Sequence, residues 1–433
     1  MGNRLIQGAG ISHMHGSSTP TVARKRREET PDRPGVAAFG EWNTANLGDR
    51  AIYRALVQFF EECGWRVDAY GLGALKPTVE LAASGGGTAP AHVSYRLPPG
   101  LAPGAKRLVR GLRQQYRLLR LLPGLRRIQA ISVGGGGLLT DANLHFPQSL
   151  AALAQGAAWL NKPLFCLGCS AEGPWSRAGE TRIRRFLAAC TVVAARDHTT
   201  AQRLSAVLER PVPVFGDFCL AARHLQGPPR QPTEDFTIAV NVSRLPAPWD
   251  RAQQRLEDAL VALVGTITRN ALNQDAPWVR IFTTGVAQDV VAAQRVFARI
   301  AGPRVELCFP EHLEQLLDLL RKSDWVIASR LHAAILGLAE GLPVIGLSAA
   351  PKLRCHFETL GLQEFSPELE HALRLAPLTA PSRWEQVLSA QREAMRRSAA
   401  WAGREEVRRH LLALAHEFIS RPATAGHERG TVP

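Results

Sequence analysis

Serine, arginine and histidine stand almost side by side in Ser329-Arg330-Leu331-His332. An arginine offers a planar fork of N–H donors suited to a carboxylate or a phosphate. A histidine two residues further on can give or take a proton near neutral pH. The apolar run that ends at Ser329 reads as a buried strand. The stretch from Leu331 reads as a helix that Gly341 and Pro343 stop. Arg330 and His332 therefore fall at a helix N-terminus on the carboxyl edge of a sheet. Free N–H groups and the helix dipole favour an anion at that place. A lone histidine would be read as a core residue bonded to backbone, but the neighbouring arginine and the position favour function. Lys352 follows the next strand, in Ala350-Pro351-Lys352-Leu353, and can reach the same anion. Taken alone it reads as an exposed loop lysine.

Two segments of the first half also sit at strand–helix turns. In Gly40-Glu-Trp-Asn43-Thr-Ala-Asn46-Leu-Gly48-Asp49-Arg-Ala-Ile52, Gly48 permits a close backbone approach and Asp49 can cap a helix. The segment is either a ligand-binding turn or a plain helix start. It is no GxGxxG fingerprint, so it implies no dinucleotide. The run Gly134-Gly135-Gly136-Gly137, ending in Leu-Leu-Thr140-Asp141, frees amide N–H groups for an anion or a sugar, unless it is only a flexible turn. No Gly-Lys-Ser/Thr follows it, which excludes a nucleotide P-loop.

These turns need strands and helices to hold them. Strand-like runs alternate with helical ones from Val36 to Phe215 and again from Phe236 to Leu347. That pattern predicts an α/β fold of two Rossmann-like domains facing across a cleft, with a C-terminal helix. The expected divisions are a disordered leader over 1–34, a first domain over 35–224 and a linker over 225–235. A second domain with terminal helices covers 236–420, and a disordered tail covers 421–433. A chain of 433 residues suits two domains. With 45% hydrophobic and 21% charged residues, wholesale disorder is excluded. No apolar run is long enough to span a bilayer, and the first twenty residues carry no apolar signal core. Seven irregularly spaced cysteines fit reduced thiols in a cytoplasmic protein. Cys166 and Cys169 lack the second pair that a zinc site would need, so no metal is expected.

The net charge of +14 favours an anionic partner. From Leu81 to Thr140 there is no Asp or Glu, but there are nine Lys or Arg residues. A basic insertion is therefore expected near 76–127. Positions 106, 110, 113, 117 and 120 are basic, and 109, 112, 116 and 119 are Val, Leu, Tyr and Leu. These stripes at helical spacing describe a basic amphipathic helix. It rests either on an anionic membrane surface or, by its apolar stripe, on the core. Nucleic acid is not expected, because no aromatic platform or known binding motif accompanies the charge.

Taken in order, Asn46-Leu-Gly48-Asp49-Arg-Ala-Ile52, Gly134–Gly137 with Asp141, Phe215-Gly-Asp217, Ser329-Arg330-Leu331-His332 and Pro351-Lys352-Leu353 resemble the motifs of polysaccharide pyruvyl transferases. The resemblance spans about residues 36–365 and departs at Arg50, where that family usually has an acidic residue. It implies a fold similar to the GT-B glycosyltransferases. It also implies transfer of a pyruvyl group from phosphoenolpyruvate, as co-substrate with no cofactor, onto two hydroxyls of one sugar. On this resemblance Arg330 and Lys352 hold the donor, with Ser329 of the same motif, and His332 is the acid; Arg244, just after the strand-like run Ile238–Val242, is a second donor-binding candidate by its position. Asp49 orients or deprotonates the acceptor hydroxyl, while Asn46, Gly48, Gly135, Gly136 and Asp141 belong to the acceptor side. A glycan or lipid-linked oligosaccharide would be the acceptor, met at the inner face of the cytoplasmic membrane. The competing reading is a sugar-nucleotide glycosyltransferase of the same fold, because Glu340-Gly-Leu-Pro343-Val-Ile resembles the turn such enzymes place near the nucleotide. A third is a non-catalytic peripheral membrane protein.

Overall fold

Strands buried on both faces read as unbroken apolar runs, and two sets of them form two sheets. The structure is a computed structural model. It describes residues 33–420 apart from 43, 74, 78–102, 143–144, 221–234, 246–249, 271–276, 301 and 348. Nearly all of the expected leader and linker, and the expected tail, lie outside the described residues.

The first sheet contains β1 (Gly35–Gly40), β2 (Arg66–Gly71), β3 (Lys76–Pro77), β4 (Ala130–Thr140), β5 (Leu164–Glu172) and β6 (Val192–Ala195). Their spatial order is β3-β2-β1-β4-β5-β6, parallel except for the short edge strand β3. Its helices are α1 (Leu47–Glu62), α2 (Pro103–Arg126), α3 (His145–Trp159), α4 (Arg177–Ala189) and α5 (His198–Leu208). The second sheet contains β7 (Thr237–Asn241), β8 (Trp278–Phe282), β9 (Val305–Cys308), β10 (Trp325–Ala328) and β11 (Val344–Gly346). It is all parallel, in the order β11-β10-β7-β8-β9. Its helices are α6 (Asp250–Asn270), α7 (Ala287–Ile300), α8 (Leu313–Arg321), α9 (Leu331–Ala339) and α10 (Pro351–Thr359). This is two Rossmann-like layers, as expected. Strand order reverses beside β1 and β4 in the first sheet and beside β7 and β10 in the second. Crevices open at such switch points; the turn with Asn46 and Asp49 follows β1, and the Ser329–His332 turn follows β10.

Three expectations change. The glycine run is not a loop, because Gly134–Gly137 lie inside β4, which continues to Thr140 and pairs with β5 across a register shift. Gly135 and Gly136 take φ of +74° and +79°, and that left-handed backbone creates the shift. The segment 212–215 makes only a single bridge, Ala195 with Val214. The terminal helix α12 (Ala399–Ser420), grouped in the sequence with the second domain, packs on the first. Trp65 Nε1 donates to Leu411 O at 3.0 Å, and a side chain at Gly403 would lie 2.0 Å from Val214 O. The preceding α11 (Trp384–Arg397) stays with the second sheet, where Gln391 exchanges two hydrogen bonds with the backbone of Val344.

The two sheets meet directly. Leu47 N donates to Thr284 O at 2.9 Å, and His198 N donates to Thr359 Oγ1 at 3.1 Å. No helix among the described residues is long and apolar enough to cross a membrane.

Candidate active site

Each element that bears a site residue starts where a strand has just ended. Asn46 caps α1 by accepting from Gly48 N at 3.1 Å. That cap aims the first turn, with Asp49, at the second domain. Thr44 Oγ1 donates to Asp49 Oδ2 at 2.7 Å, and Arg50 Nε donates to Thr44 O at 3.2 Å. Arg50, the departure noted above, thus braces the turn that presents Asp49.

A cavity of about 290 Å³ lies at the junction. Its lining includes Glu41, Trp42, Asp49, Gly135, Glu172 and Lys352. The glycines and Asp49 come from the first domain, and Lys352 comes from the start of α10 in the second. Gly135 is needed because a side chain there would lie 2.2 Å from Ile52 Cγ2. A larger cavity of about 370 Å³ borders Pro351, but its arginines are already paired, Arg255 with Glu370 and Arg354 with Glu368. The groups suited to chemistry gather at the smaller one.

His332 opens α9 and meets α1 head on, so that a side chain at Gly48 would lie 2.2 Å from its Nδ1. Its Nε2 is buried without a hydrogen-bond partner. Burial lowers the His332 pKa below the ordinary histidine value, against the opposing pull of Asp49 and Asp217. The imidazole is therefore neutral at pH 7. Lys352 pairs with Glu172. Burial, helped by Arg196, lowers the Lys352 pKa. Burial works to raise the Glu172 carboxyl, but Lys352 and Arg196 bring it below its usual range.

Beneath this pair lies a residue that sequence reasoning passed over. Arg196 is fully buried, yet none of its three guanidinium nitrogens has a hydrogen-bond partner. Carboxylate oxygens of Glu172, Asp217 and Asp197 stand 3.8, 3.9 and 4.0 Å away, close enough to balance charge but beyond hydrogen bonding. Asp217 accepts from Cys219 N at 2.9 Å through Oδ1, and its Oδ2 is unpartnered. Burial would raise its pKa, but Arg196, His332 and His356 outweigh that and lower it. Neither ring nitrogen of His356, buried in α10, has a partner, and burial takes its pKa to about 4. Arg404 of α12 closes the floor by donating to the carbonyls of Asp217 and Phe218 at 2.8 and 3.1 Å. Buried polar groups are almost always hydrogen-bonded. Arg196 and His356 depart from that rule. The signal for Arg196 was present, since it directly follows the buried strand β6, much as Arg330 comes two residues after β10.

Of the expected residues, Asp49, Gly135, Gly136 and Lys352 line the cavity, while His332, Asn46, Gly48, Arg330, Arg244, Ser329 and Asp141 lie outside its lining. Arg330 spends Nε and Nη2 on the buried carboxylate of Asp289, at 2.5 and 2.7 Å, so two of its five N–H donors are already engaged. Arg244 ion-pairs with Asp250, and its backbone N–H donates to Asp289 at 2.7 Å. Ser329 Oγ donates to Asn241 O at 2.8 Å and ties β10 to β7. Asp141 accepts from Ser176 N at 2.8 Å, at the start of α4. Glu340 lies at the far end of α9 from His332 and pairs with Arg321.

A family model described as polysaccharide pyruvyl transferase matches residues 46–350. That span contains Asp49, Glu172, Arg196, Asp217 and His332. No curated protein matches the sequence. Among solved structures, a putative UDP-N-acetylglucosamine 2-epimerase from Listeria monocytogenes superposes with a TM-score of 0.53 at 14% identity, over 88% of this chain and 95% of that one. A sucrose-phosphate synthase from Thermosynechococcus elongatus superposes with a TM-score of 0.52 at 14% identity, over 89% and 99%. At that identity the likeness is one of fold, and it is the GT-B-type arrangement of two domains.

Proposed function

The chain belongs to the polysaccharide pyruvyl transferase family, and on that premise we propose that it moves a pyruvyl group from phosphoenolpyruvate onto two hydroxyls of one sugar. The sugar belongs to a polysaccharide or its lipid-linked precursor, and the products are a cyclic ketal and phosphate. The observation that carries this reading is Arg196, a buried guanidinium with every donor open, beside the unpartnered Nε2 of His332. Phosphoenolpyruvate brings a carboxylate and a phosphate in one small body. Lys352, on the cavity wall, can give such an anion a charge-assisted hydrogen bond, and Arg196, buried beneath it, adds positive charge.

The first sugar hydroxyl adds to the central carbon of the donor, and a proton passes to the methylene, which becomes a methyl group. The second hydroxyl then displaces phosphate, and its proton leaves with the phosphate. On this reading His332 carries these protons. Burial lowers its pKa below the ordinary histidine value, and an incoming anion raises its proton affinity. Glu41, Asp49 and Glu172 are the carboxylates on the cavity wall, of which Asp49 and Glu172 are assigned to orient the acceptor hydroxyls, with Trp42 as an apolar wall for the sugar ring.

The sugar-nucleotide reading loses support, because Glu340 sits about 13 Å, one helix length, from the His332 end of α9. The deciding experiment is incubation with phosphoenolpyruvate and a panel of synthetic and lipid-linked glycans. Mass spectrometry reads the ketal, and phosphate release is read alongside. His332→Ala should leave the fold intact and lower turnover by roughly 10²–10⁴. Full activity of that variant removes His332 from the reaction. Thermal stabilisation by UDP-sugars and not by phosphoenolpyruvate would overturn the proposal.

A further inference from the structure

Helix α2 buries one stripe and leaves another uncovered. Gln114, Leu118 and Leu125 face inward, and Gln115 Nε2 donates to Gln155 of α3 at 3.0 Å. On the opposite side, Leu112 and Tyr116 are each 61% exposed and Leu119 is 53% exposed. Their spacing of i, i+4 and i+7 aligns them along a single face. So the apolar stripe picked out by helical spacing is not the one the core uses. Arg113 and Arg120 lie exposed beside it, with the Arg120 guanidinium 5.9 Å from the Tyr116 ring centroid. No carboxylate occurs anywhere from residue 81 to 140, so nothing within the helix balances this charge.

We propose that this face docks in the interfacial layer of a membrane rich in anionic lipid. Leu112, Tyr116 and Leu119 enter the headgroup–acyl boundary, and Arg113 and Arg120 sit on the phosphates. A large apolar face would suit a protein partner. Three apolar side chains fall well short of the roughly 800 Å² per partner that a stable protein interface buries. They are enough for shallow insertion when basic residues add about 1 kcal/mol each near an anionic surface. The placement also suits an acceptor carried on a lipid. Gln114 Nε2 donates to Gly73 O at 3.1 Å, and Gly73 N donates at 2.9 Å to Glu41, which lines the junction cavity. A membrane under α2 therefore lies one loop away from the acceptor side of the site, a corollary that rests on the transferase reading.

Flotation of the full chain tests the docking. The vesicles are phosphatidylglycerol mixed into phosphatidylcholine, and phosphatidylcholine alone, at low and high salt. Binding should need phosphatidylglycerol and weaken with salt. Leu112→Ser with Leu119→Ser, and separately Arg113→Gln with Arg120→Gln, should each lower the partition coefficient by about tenfold or more. Both pairs are exposed, so the melting temperature and phosphate release with a water-soluble acceptor should stay unchanged. Equal binding to the two vesicles, or insensitivity to either pair, overturns the proposal. So does concentration-dependent self-association that these substitutions abolish, because the face would then join copies of the chain. Flotation does not require turnover, so failure of the reaction proposed above leaves its outcome readable.

Discussion

Gly48 and His332 touch across the junction of the two domains, and a methyl group on Gly48 would lie 2.2 Å from His332 Nδ1. The missing side chain at one helix start makes room for the imidazole at the other. Gly48→Ala should therefore push the imidazole aside while leaving both sheets intact. A displacement of about 1 Å at a reacting group is enough to cost roughly 10² in turnover. Steady-state kinetics should show a loss in kcat larger than the change in KM for phosphoenolpyruvate. Normal kcat would mean that the position of His332 does not matter.

Arg196 and Asp217 balance each other's charge without sharing a hydrogen bond. Arg196→Met leaves Asp217 as an uncompensated buried anion and should destabilise the protein by about 3–5 kcal/mol. Adding Asp217→Asn should restore much of that loss, because neither buried charge remains. The double variant should still show no thermal shift with phosphoenolpyruvate. A normal shift in the double variant would remove Arg196 from donor binding.

Arg330 is held by two hydrogen bonds to Asp289, whose side chain is inaccessible to solvent. Lysine cannot reproduce a two-point contact. Arg330→Lys should lower the melting temperature, on the scale of about 1–3 kcal/mol for a weakened buried ion pair. The KM for phosphoenolpyruvate should change less than stability does. A large rise in KM with unchanged melting temperature would return Arg330 to the donor site.

Burial holds the His356 pKa at about 4, against 6.5 for an ordinary histidine, while Asp217 and Asp197 pull it upward and Arg196 and His332 push it down. Between those two values the unfolded chain binds a proton that the folded chain refuses. The contribution of this group to stability is therefore complete above pH 6.5 and is lost as pH falls toward 4, by at most about 3 kcal/mol. Asp217 and Glu172, whose pKa values are lowered, add a loss in the same direction further down the scale. Melting temperatures at pH 7 and pH 5 should show a smaller drop for His356→Gln than for the unaltered chain. An equal drop would place the pH sensitivity elsewhere.

Local rules were enough to put His332, Asp49 and Lys352 at helix starts on the carboxyl edges of the sheets. Each follows a buried strand directly or within a short turn, and strand ends and helix starts are written in neighbouring residues. The same rule applied to Arg196, but one arginine among forty-six carries no visible mark of burial. Its isolation from hydrogen bonds exists only once β6, the Asp217 turn and α10 pack together. Arg330 shows the reverse. Its neighbours suggested an anion site, while the carboxylate that holds it comes from Asp289, forty-one residues away in sequence. Helical spacing likewise found the apolar stripe of α2 but not which side of the helix the domain would cover. The sequence by itself determined the two α/β layers and the turns at their carboxyl edges. Tertiary structure alone decided which charges are spent on each other and which stay open, because pairing depends on distances between segments that only packing brings together.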